Sequence, residues 1–351
     1  MDRITFSSSY NAYGHGAIPI ALELEALRVD FFGVAFLEEG IQLRKSGIQN
    51  PILILGGIFP SQIKKVFAFK LTPVIYDLQL ALSLEAEGKK HRKKLPVHIK
   101  IDTGMNRLGV PHDRAKEFLT RFRSFDYLEV EGILSHFSSA HLKDTDSRKF
   151  TDNQAEEFKK LLKIIKKSGI RPPLLHMANS AAIMEGFIPE LNMVRAGLML
   201  YGAYPSNDLK PTVPLDPVMT LKTEIIQIKS LPPWSPVSYS RTFYTKRESL
   251  IATLAIGYGD GYQHRLSNRG KVLIQGREAP IVGSVCMDLT LVDTTSIPET
   301  KVGDEVVVFG RQGEASISVE DVAQWADTIP YEILCGISSR VSRIYKKRGN
   351  I

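Results

Sequence analysis

Several polar side chains of this sequence stand at the ends of short apolar runs. They are Tyr13, Arg107, His136, Asn179, Ser180 and Arg195, and Gly197 follows the last of these. Hydroxyl groups, guanidinium groups and the backbone N–H of a glycine can all bind an anion such as phosphate. Taken singly, Ser180 is explained as a helix N-cap, His136 as a hydrogen-bonded core histidine and Arg195 as a salt-bridge partner. Their shared position predicts a small anionic ligand where the runs end.

The elements that must position these residues alternate in type up to about residue 203. Apolar runs occupy residues 31–36, 51–57, 72–77, 95–102, 128–137, 173–180 and 192–202, and stretches of helical period lie between most of them. Strands separated by helices indicate a parallel sheet, and strands that are apolar throughout indicate burial on both faces. With residues 4–9 as the remnant of a first strand, the pattern predicts a (β/α)8 TIM-like barrel whose first strand is incomplete. The carboxyl ends of the strands form the working face of such a barrel.

A second domain is predicted after residues 204–217, where four prolines indicate a linker or an exposed crossover. The sequence beyond is rich in β-type residues and turns. Only residues 318–327 have a helical pattern, with Ser318 as N-cap, and Tyr239 lies in a strand-like run. The prediction is therefore a barrel domain of residues 1–205 followed by a smaller all-β domain of residues 206–351.

Composition and charge bear on whether the protein binds nucleic acid, a membrane or a metal. The 351 residues carry a formal net charge of +7, and part of the excess lies in basic runs at residues 88–94 and 345–350. Neither run is interleaved with aromatic residues, so we expect a solvated helix end, a solvated tail and no nucleic-acid partner. No stretch has the length and apolarity of a membrane span or a signal peptide, and the two cysteines fit neither a disulfide framework nor a metal site. We therefore expect a cytoplasmic protein that binds no membrane and no metal.

Nine motifs in order carry a resemblance to a known family. They are NAYGHG (11–16), KIDTGMNRLG (100–109), ILSHF (133–137), HMANSAA (176–182), MVRAGLMLYG (193–202), VSYS (237–240), IGYGDGY (256–262), GSVCMD (283–288) and PYEILCGISSRVSRIY (330–345). Through them the chain resembles alanine racemase, a pyridoxal 5'-phosphate enzyme. The resemblance implies a (β/α)8 barrel, a C-terminal β domain and a head-to-tail homodimer in which each β domain completes the other subunit's site. It also implies interconversion of L-alanine and D-alanine, which supplies D-alanine for peptidoglycan.

The resemblance implies cofactor-binding roles residue by residue. Contacts to the cofactor phosphate are implied for Tyr13, Ser180, Gly197 and Tyr331, with Asn179 beside them. Arg195 matches an arginine that faces the pyridine nitrogen and keeps it unprotonated, which makes the ring a weaker electron sink. Arg107 matches an arginine near the cofactor's phenolic oxygen and the substrate carboxylate. Lys100 matches a lysine that is often carbamylated and positions that arginine.

Catalytic and substrate-binding roles are implied in the same way. Tyr239 matches the catalytic tyrosine, which the partner subunit contributes to the site. His136 matches the histidine that hydrogen-bonds toward this tyrosine and assists its ionisation. Met287 and Asp288 match the substrate-carboxylate region, which also comes from the partner subunit. Alanine is the substrate that the resemblance implies.

Ser9 occupies the place of the family's Schiff-base lysine. In the family that lysine lies four residues before the tyrosine matched by Tyr13, and here no lysine precedes Lys45. A serine hydroxyl cannot form an imine and is a very weak base, so the covalent anchor and one of two proton-transferring groups are missing. Fewer residues precede Ser9 than in the family, which suggests an N-terminal truncation. Three interpretations follow: a racemase whose residues before Asn11 are not native, an inactive homologue that binds the cofactor or acts as a dimerising partner, or a related enzyme, either a racemase of another amino acid or a decarboxylase-like enzyme, that uses another residue.

Overall fold

Eight parallel strands form a closed barrel in the N-terminal part of the chain. The structure, a computed structural model, describes residues 3–7, 9–167, 169–187, 191–209 and 213–346. The strands are β1 (Arg3–Ser7), β2 (Phe31–Val34), β3 (Ile52–Ile54), β4 (Thr72–Ile75), β5 (Leu95–Asp102), β6 (Val110–Pro111), β7 (Leu128–Leu134), β8 (Leu174–His176) and β9 (Met193–Ala196). Their order is β4-β3-β2-β1-β9-β8-β7-β5, a pairing of β4 with β5 closes the ring, and the short β6 pairs with β5. The predicted TIM-like barrel is confirmed.

Strand β1 is short but pairs on both sides, so the incomplete first strand expected from the sequence is a full member of the barrel. Thr5 pairs in register with Phe31 of β2 on one side and with Arg195 of β9 on the other. The segment is rich in residues that favour strands. Phe6 is 1% exposed and packs edge-on against Phe32, with ring centroids 6.1 Å apart. Five residues suffice because β2 and β9 are themselves only four residues long.

Helices follow most of the barrel strands. They are α1 (Ser9–Tyr13), α2 (Ala17–Ala26), α3 (Leu37–Lys45), α4 (Ile63–Ala68), α5 (Leu78–His91), α6 (Ala115–Phe122), α7 (Thr145–Lys167) and α8 (Ser180–Met184). Their buried residues are mostly apolar; in α7, Phe158, Leu161 and Ile165 are each less than 5% exposed. Helix α5 begins after Asp77, whose carboxylate accepts a hydrogen bond from the N–H of Leu80 at 2.8 Å. Apolar burial and capping thus fix these helices around the strands.

Helix α1 is a left-handed turn. The φ angles of Tyr10, Asn11, Ala12 and Tyr13 are 51°, 54°, 55° and 53°. This conformation costs an L-residue roughly 1–2 kcal/mol. Two hydrogen bonds offset part of that cost: the N–H of Tyr10 donates to the Glu39 carboxylate at 2.6 Å, and the N–H of Ala17 donates to Asn11 Oδ1 at 2.8 Å. The turn is therefore held by side chains on both sides of it.

The C-terminal part is built on an antiparallel sheet. Its strands are β10 (Leu221–Leu231), β11 (Pro236–Val237), β12 (Phe243–Tyr244), β13 (Ser249–Leu254), β14 (Lys271–Ile274), β15 (Arg277–Pro280), β16 (Thr290–Asp293), β17 (Glu305–Gln312) and β18 (Ala315–Ile317). The main sheet has the order β15-β14-β17-β10-β13-β16, β18 pairs with β17, and β11 and β12 form a separate ladder. The prediction of a barrel followed by a β domain is confirmed. Its helices are α9 (Val319–Trp325) and α10 (Pro330–Gly336).

Three local expectations can be compared with this part. The predicted N-cap is confirmed, because Ser318 Oγ accepts a hydrogen bond from the N–H of Asp321 at 3.1 Å. The expectation of a single helix is wrong, since α10 also forms; its seven residues and its initial Pro330 give little helical periodicity. The strand expected around Tyr239 is interrupted by a 3-10 turn, Tyr239–Arg241, because Ser238 and Ser240 adopt φ angles of 65° and 60°.

The chain divides into two compact units. One comprises Met1–Leu200 with Asp208–Pro214, and the other comprises Tyr201–Asn207 with Leu215–Ile351. The predicted boundary between residues 205 and 206 falls inside the segment Tyr201–Asn207 and stays a prediction. In the described residues, no helix combines the length and the apolar character that crossing a bilayer requires.

Candidate active site

Tyr13, Ser180 and Gly197 meet beyond the carboxyl ends of β1, β8 and β9. Ser180 Oγ accepts hydrogen bonds from the N–H groups of Gly197 at 2.9 Å and Met199 at 3.4 Å. A Cβ atom at Gly197 would lie 2.7 Å from the Tyr13 hydroxyl oxygen and 3.5 Å from Ser180 Oγ. Gly197 therefore keeps open a small space lined by two hydroxyl groups, which we call the cradle. Hydroxyl and N–H donors in this arrangement suit a phosphate group.

The left-handed turn of α1 brings Tyr13 to the cradle. Its first peptide is held by Glu39 of α3, since Glu39 Oε1 accepts from the N–H of Tyr10 at 2.6 Å. The second oxygen, Oε2, accepts from the N–H groups of Ala35 at 2.7 Å and Phe36 at 3.1 Å. One carboxylate therefore ties the turn that follows β1 to the end of β2. Such charge-assisted hydrogen bonds are among the stronger ones in proteins.

Asn179 positions Ser180. Its Oδ1 accepts a hydrogen bond from the N–H of Ala182 at 3.1 Å, and its Nδ2 donates to the carbonyl of Phe137 at 3.3 Å. Asn179 is thus the N-cap of α8, and Ser180 is the first residue of that helix. The structural explanation of Ser180 as the N-cap is therefore wrong, because the neighbouring amide fills that role and leaves the hydroxyl in the cradle.

Arg195, on β9, is held by four hydrogen bonds. Its Nη1 donates to His176 Nδ1 at 2.8 Å, and its Nη2 donates to the carbonyls of Ser135 at 2.7 Å and Met177 at 3.1 Å. The same Nη2 lies 2.9 Å from His136 Nδ1, so its two N–H groups are shared among three acceptors. A guanidinium can only donate, so Nδ1 of His136 accepts and the proton of this ring lies on Nε2. Arg195 thereby fixes which atom of His136 can give a proton to a ligand.

Positive charge dominates the electrostatics around Arg195. Desolvation and then the charges of Arg195 and Arg107 lower the pKa of Lys100 to about 8, against which Asp102 acts in the opposite direction. Desolvation, followed by Arg107, lowers the pKa of Arg195 to about 10. Desolvation, followed by Arg195 and Lys100, brings the pKa of His136 well below its usual range. At neutral pH His136 is therefore uncharged, while its neighbour Arg195 is positively charged. This positive charge would favour an anionic ligand.

The loops of the second unit form a separate polar group. Arg340 donates to Asp260 from Nε at 2.6 Å and to Asp288 from Nη2 at 2.7 Å. The carbonyl of the preceding Met287 accepts from the N–H of Gly259 at 2.8 Å. Met287 and Asp288 therefore lie beside the loop that carries the IGYGDGY motif, and their side chains are more than half exposed.

The remaining candidates lie in different parts of the chain. Tyr239 belongs to the second unit and is 73% exposed, while its carbonyl accepts from Ser284 Oγ at 3.1 Å. Tyr331 also belongs to the second unit, on α10, and is partly buried. Ser9 is the first residue of α1, and the structure describes only its backbone.

The structure thus brings one group of predicted residues together in the barrel unit, whereas Tyr239, Met287, Asp288 and Tyr331 belong to the second unit. The group in the barrel unit comprises Tyr13, Ser180, Gly197, Arg195 and His136, with Lys100 and Arg107 near enough to act on the same charges. Two further residues, Glu39 and His176, were not predicted. Glu39 lies three residues after Phe36 at a helix start, which is the spacing of a capping box. His176 ends an apolar run, the same criterion that indicated the other polar residues.

The fold and the site define the class of protein: a (β/α)8 barrel whose rim carries hydroxyl and cationic side chains, joined to an antiparallel β domain. Residues 10–205 match the family described as "Alanine racemase, N-terminal domain", and residues 218–345 match "Alanine racemase, C-terminal domain". The alanine racemase of Geobacter sulfurreducens is 46% identical over 336 residues, which cover 95% of this chain and 88% of that protein. The chain therefore belongs to the alanine racemase family, whose enzymes are isomerases.

Solved structures agree with this assignment. The alanine racemase of Clostridium difficile 630 superposes with a TM-score of 0.91 at 38% identity, covering 99% of this chain and 90% of that chain. The alanine racemase of Bartonella henselae, solved with covalently bound pyridoxal phosphate, gives a TM-score of 0.88 at 30% identity, with 98% and 93% covered. The barrel and the β domain are both shared with these enzymes.

Proposed function

We propose that this chain binds pyridoxal 5'-phosphate at the barrel rim and serves the interconversion of L-alanine and D-alanine. The observation that carries the proposal is the cradle, where the hydroxyls of Tyr13 and Ser180 flank a glycine with no room for a Cβ atom. The D-alanine would be used for peptidoglycan, and the site of action would be the cytoplasm. Family membership supplies the choice of reaction.

The residues present fit the phosphate end and the ring end of this cofactor. Tyr13, Ser180 and the N–H of Gly197 would hold the phosphate, and we propose that Tyr331 adds a further hydroxyl. Arg195 would donate to the pyridine nitrogen, because its guanidinium is fixed by four protein acceptors and stays charged at neutral pH. When bound, the cofactor withdraws electrons from the Cα of an amino acid and so acidifies its hydrogen.

Proton transfer is proposed to use Tyr239 and His136. Tyr239 is largely exposed in one chain, so we propose a homodimer in which Tyr239 of the partner subunit enters the barrel site. His136 keeps its proton on Nε2 and would donate it toward the phenol oxygen, which favours the phenolate as a base. Met287 and Asp288 would reach the substrate carboxylate from the same partner loops. Arg107 would bind that carboxylate from the barrel side.

Lys100 is proposed to be carbamylated. A carbamate forms when a neutral amine attacks carbon dioxide, and a pKa of about 8 leaves part of this amine neutral near neutral pH. The product is an anion beside Arg107 and Arg195, so it would offset positive charge and position Arg107. A 13C signal from labelled bicarbonate that is lost in Lys100→Arg would support this modification, and a spectrum without it would contradict it.

Ser9 is proposed to limit turnover. Racemisation needs a group on each face of Cα, and a serine hydroxyl is too weak a base to replace the amine of the family's lysine. The cofactor would then be held without a covalent bond. This residue also favours a second candidate function, a homologue that binds the cofactor and dimerises but does not turn alanine over.

The test compares the chain with its Ser9→Lys variant. We expect both to bind pyridoxal 5'-phosphate, with borohydride trapping the cofactor on a lysine only in the variant. We also expect alanine racemisation to rise by at least about 100-fold in the variant, which is the usual gain from one general base. Trapping on Lys100 or another lysine of the unaltered chain would contradict the role given to Ser9. A variant that traps the cofactor but stays inactive would favour the second function.

A further inference from the structure

Two histidines inside the barrel contact each other and are not used by the proposed reaction. His98 lies on β5 and His176 ends β8, and both are 0% exposed. His98 Nδ1 and His176 Nε2 are 2.8 Å apart. On its other side, His98 Nε2 lies 3.2 Å from Oε2 of Glu131, whose side chain is 27% exposed. Together with Arg195 these residues form a continuous series of hydrogen bonds.

The direction of each hydrogen bond in this series follows from Arg195. Its Nη1 can only donate, so Nδ1 of His176 accepts and the proton of that ring lies on Nε2. His176 Nε2 then donates to His98 Nδ1, which places the proton of His98 on Nε2 as well. The His98 Nε2–H points to the Glu131 carboxylate, which accepts the hydrogen bond. The carboxylate is therefore the acceptor that completes the series.

Strand β7 is shaped to allow these contacts. Val97 pairs with Val130 and the next residue, His98, pairs with Gly132, so Glu131 is an extra residue in the ladder. An extra residue of this kind is a β-bulge, which re-aims side chains and is common beside active sites. Gly132 supplies the necessary space, because a Cβ atom there would lie 2.4 Å from His98 Nδ1. The bulge and the glycine together place the imidazole between its two partners.

We propose that Glu131, His98 and His176 are positioning residues that hold the Arg195 guanidinium in its orientation. The role of that orientation toward the cofactor rests on the proposed function. Desolvation is the main cause that lowers the pKa of His98, despite Glu131, and it brings the pKa of His176 well below its usual range. Both rings are therefore neutral at pH 7. The series fixes the protons of two neutral rings rather than carrying a net charge to Arg195.

The first measurement needs no substitution and no cofactor. Long-range 15N–1H spectra of the chain with labelled histidine distinguish the two neutral tautomers and the cation. We expect His98 and His176 to be neutral, each with its proton on Nε2. A proton on Nδ1 of either ring, or a charged ring at pH 7, would overturn the proposal.

The second measurement removes the acceptor. Glu131→Leu leaves His98 Nε2–H without a partner. We expect both rings to keep the tautomers that Arg195 sets, while the Nε2–H signal of His98 and the Nη–H signals of Arg195 broaden. Glu131→Gln keeps an oxygen acceptor and should restore the original pattern. Glu129→Leu, at an exposed position on the same strand, is the matched control. Unchanged His98 Nε2–H and Arg195 Nη–H signals in Glu131→Leu would overturn the proposal.

Cofactor binding then separates this proposal from the proposed function. We expect Glu131→Leu to weaken pyridoxal 5'-phosphate binding by about tenfold, while Glu131→Gln stays close to the unaltered chain. Equal affinity in all three, with broadened Arg195 signals in Glu131→Leu, would refute the positioning role. If none of the proteins binds the cofactor, the proposed function fails, and the tautomers still decide whether the series exists.

Discussion

The substitution Gly197→Ala tests the cradle most directly. The new Cβ atom would lie 2.7 Å from the Tyr13 hydroxyl oxygen, about 0.7 Å inside the 3.4 Å at which ordinary contact begins. Gly197 has no left-handed φ, so alanine fits the backbone and the whole effect comes from this contact. Overpacking of this kind costs about 1–3 kcal/mol of stability.

The expected loss of cofactor affinity follows from the same geometry. The displaced Tyr13 hydroxyl would lose its hydrogen bond to the charged phosphate. Such bonds contribute about 1.5–3 kcal/mol each, so losing one weakens binding roughly 10- to 100-fold. Fluorescence titration with pyridoxal 5'-phosphate measures this change, and urea unfolding measures the stability.

A double-mutant cycle with Tyr13→Phe isolates the contact. The phenyl ring keeps its Cζ atom, which lies 3.5 Å from the position of the new Cβ. This distance is an ordinary van der Waals contact. The stability cost of Gly197→Ala should therefore nearly vanish in the Tyr13→Phe background. Gly336→Ala, where the nearest atom to the new Cβ is 3.7 Å away, should bind the cofactor normally. An unchanged cost in the Tyr13→Phe background, or full cofactor affinity in Gly197→Ala, would refute the reasoning.

Three further substitutions have expected outcomes. Glu39→Gln should lower the free energy of unfolding by about 1–3 kcal/mol, because the Glu39 carboxylate accepts hydrogen bonds from three N–H groups. The control Glu38→Gln should have little effect. Equal urea midpoints for the two variants would contradict this expectation. The pKa of Lys100 is about 8 in the folded protein, against a usual value of 10.5. Between these two pH values the unfolded chain binds more protons than the folded chain does. The free energy of unfolding in bicarbonate-free buffer should therefore rise with pH across that window. Lys100→Met should reduce this slope, and parallel curves for the two proteins would disprove the assignment. Asp77→Ala should cost about 1 kcal/mol through loss of the α5 N-cap, measured by thermal unfolding, and no change in Tm would show that the cap is dispensable.

The barrel could be predicted from the sequence because its strands are buried on both faces. Each apolar run, for example residues 95–102, therefore differs clearly from the amphipathic helix that follows it. The cradle residues could be predicted as well, since Tyr13, Ser180 and Gly197 all follow such runs, and parallel strands bring their carboxyl ends to one rim.

Features that depend on backbone conformation could not be predicted. The left-handed turn before Gly14 uses tyrosine and alanine beside asparagine, and of these only asparagine favours positive φ. The bulge at Glu131 depends on the register between two strands that are distant in sequence. Its contact with His98 therefore could not be predicted from the sequence. Helix α10 follows Ile329, which offers no polar N-cap side chain such as Ser318 gives to the equally short α9. In each case tertiary contacts, rather than local preference, select the conformation.

The pairing of β1 with β9 sets an order for folding on the ribosome. Arg3 pairs with Met193, so closing the barrel joins segments about 190 residues apart in the chain. Strand β1 must stay without its second neighbour while the intervening strands are synthesised, and such late, non-local pairing slows folding. Arg195 lies on the last strand to arrive, opposite Thr5. The guanidinium and the cradle beside it can therefore form only in the final step of barrel assembly, so a nascent chain that stalls before β9 has no ligand site.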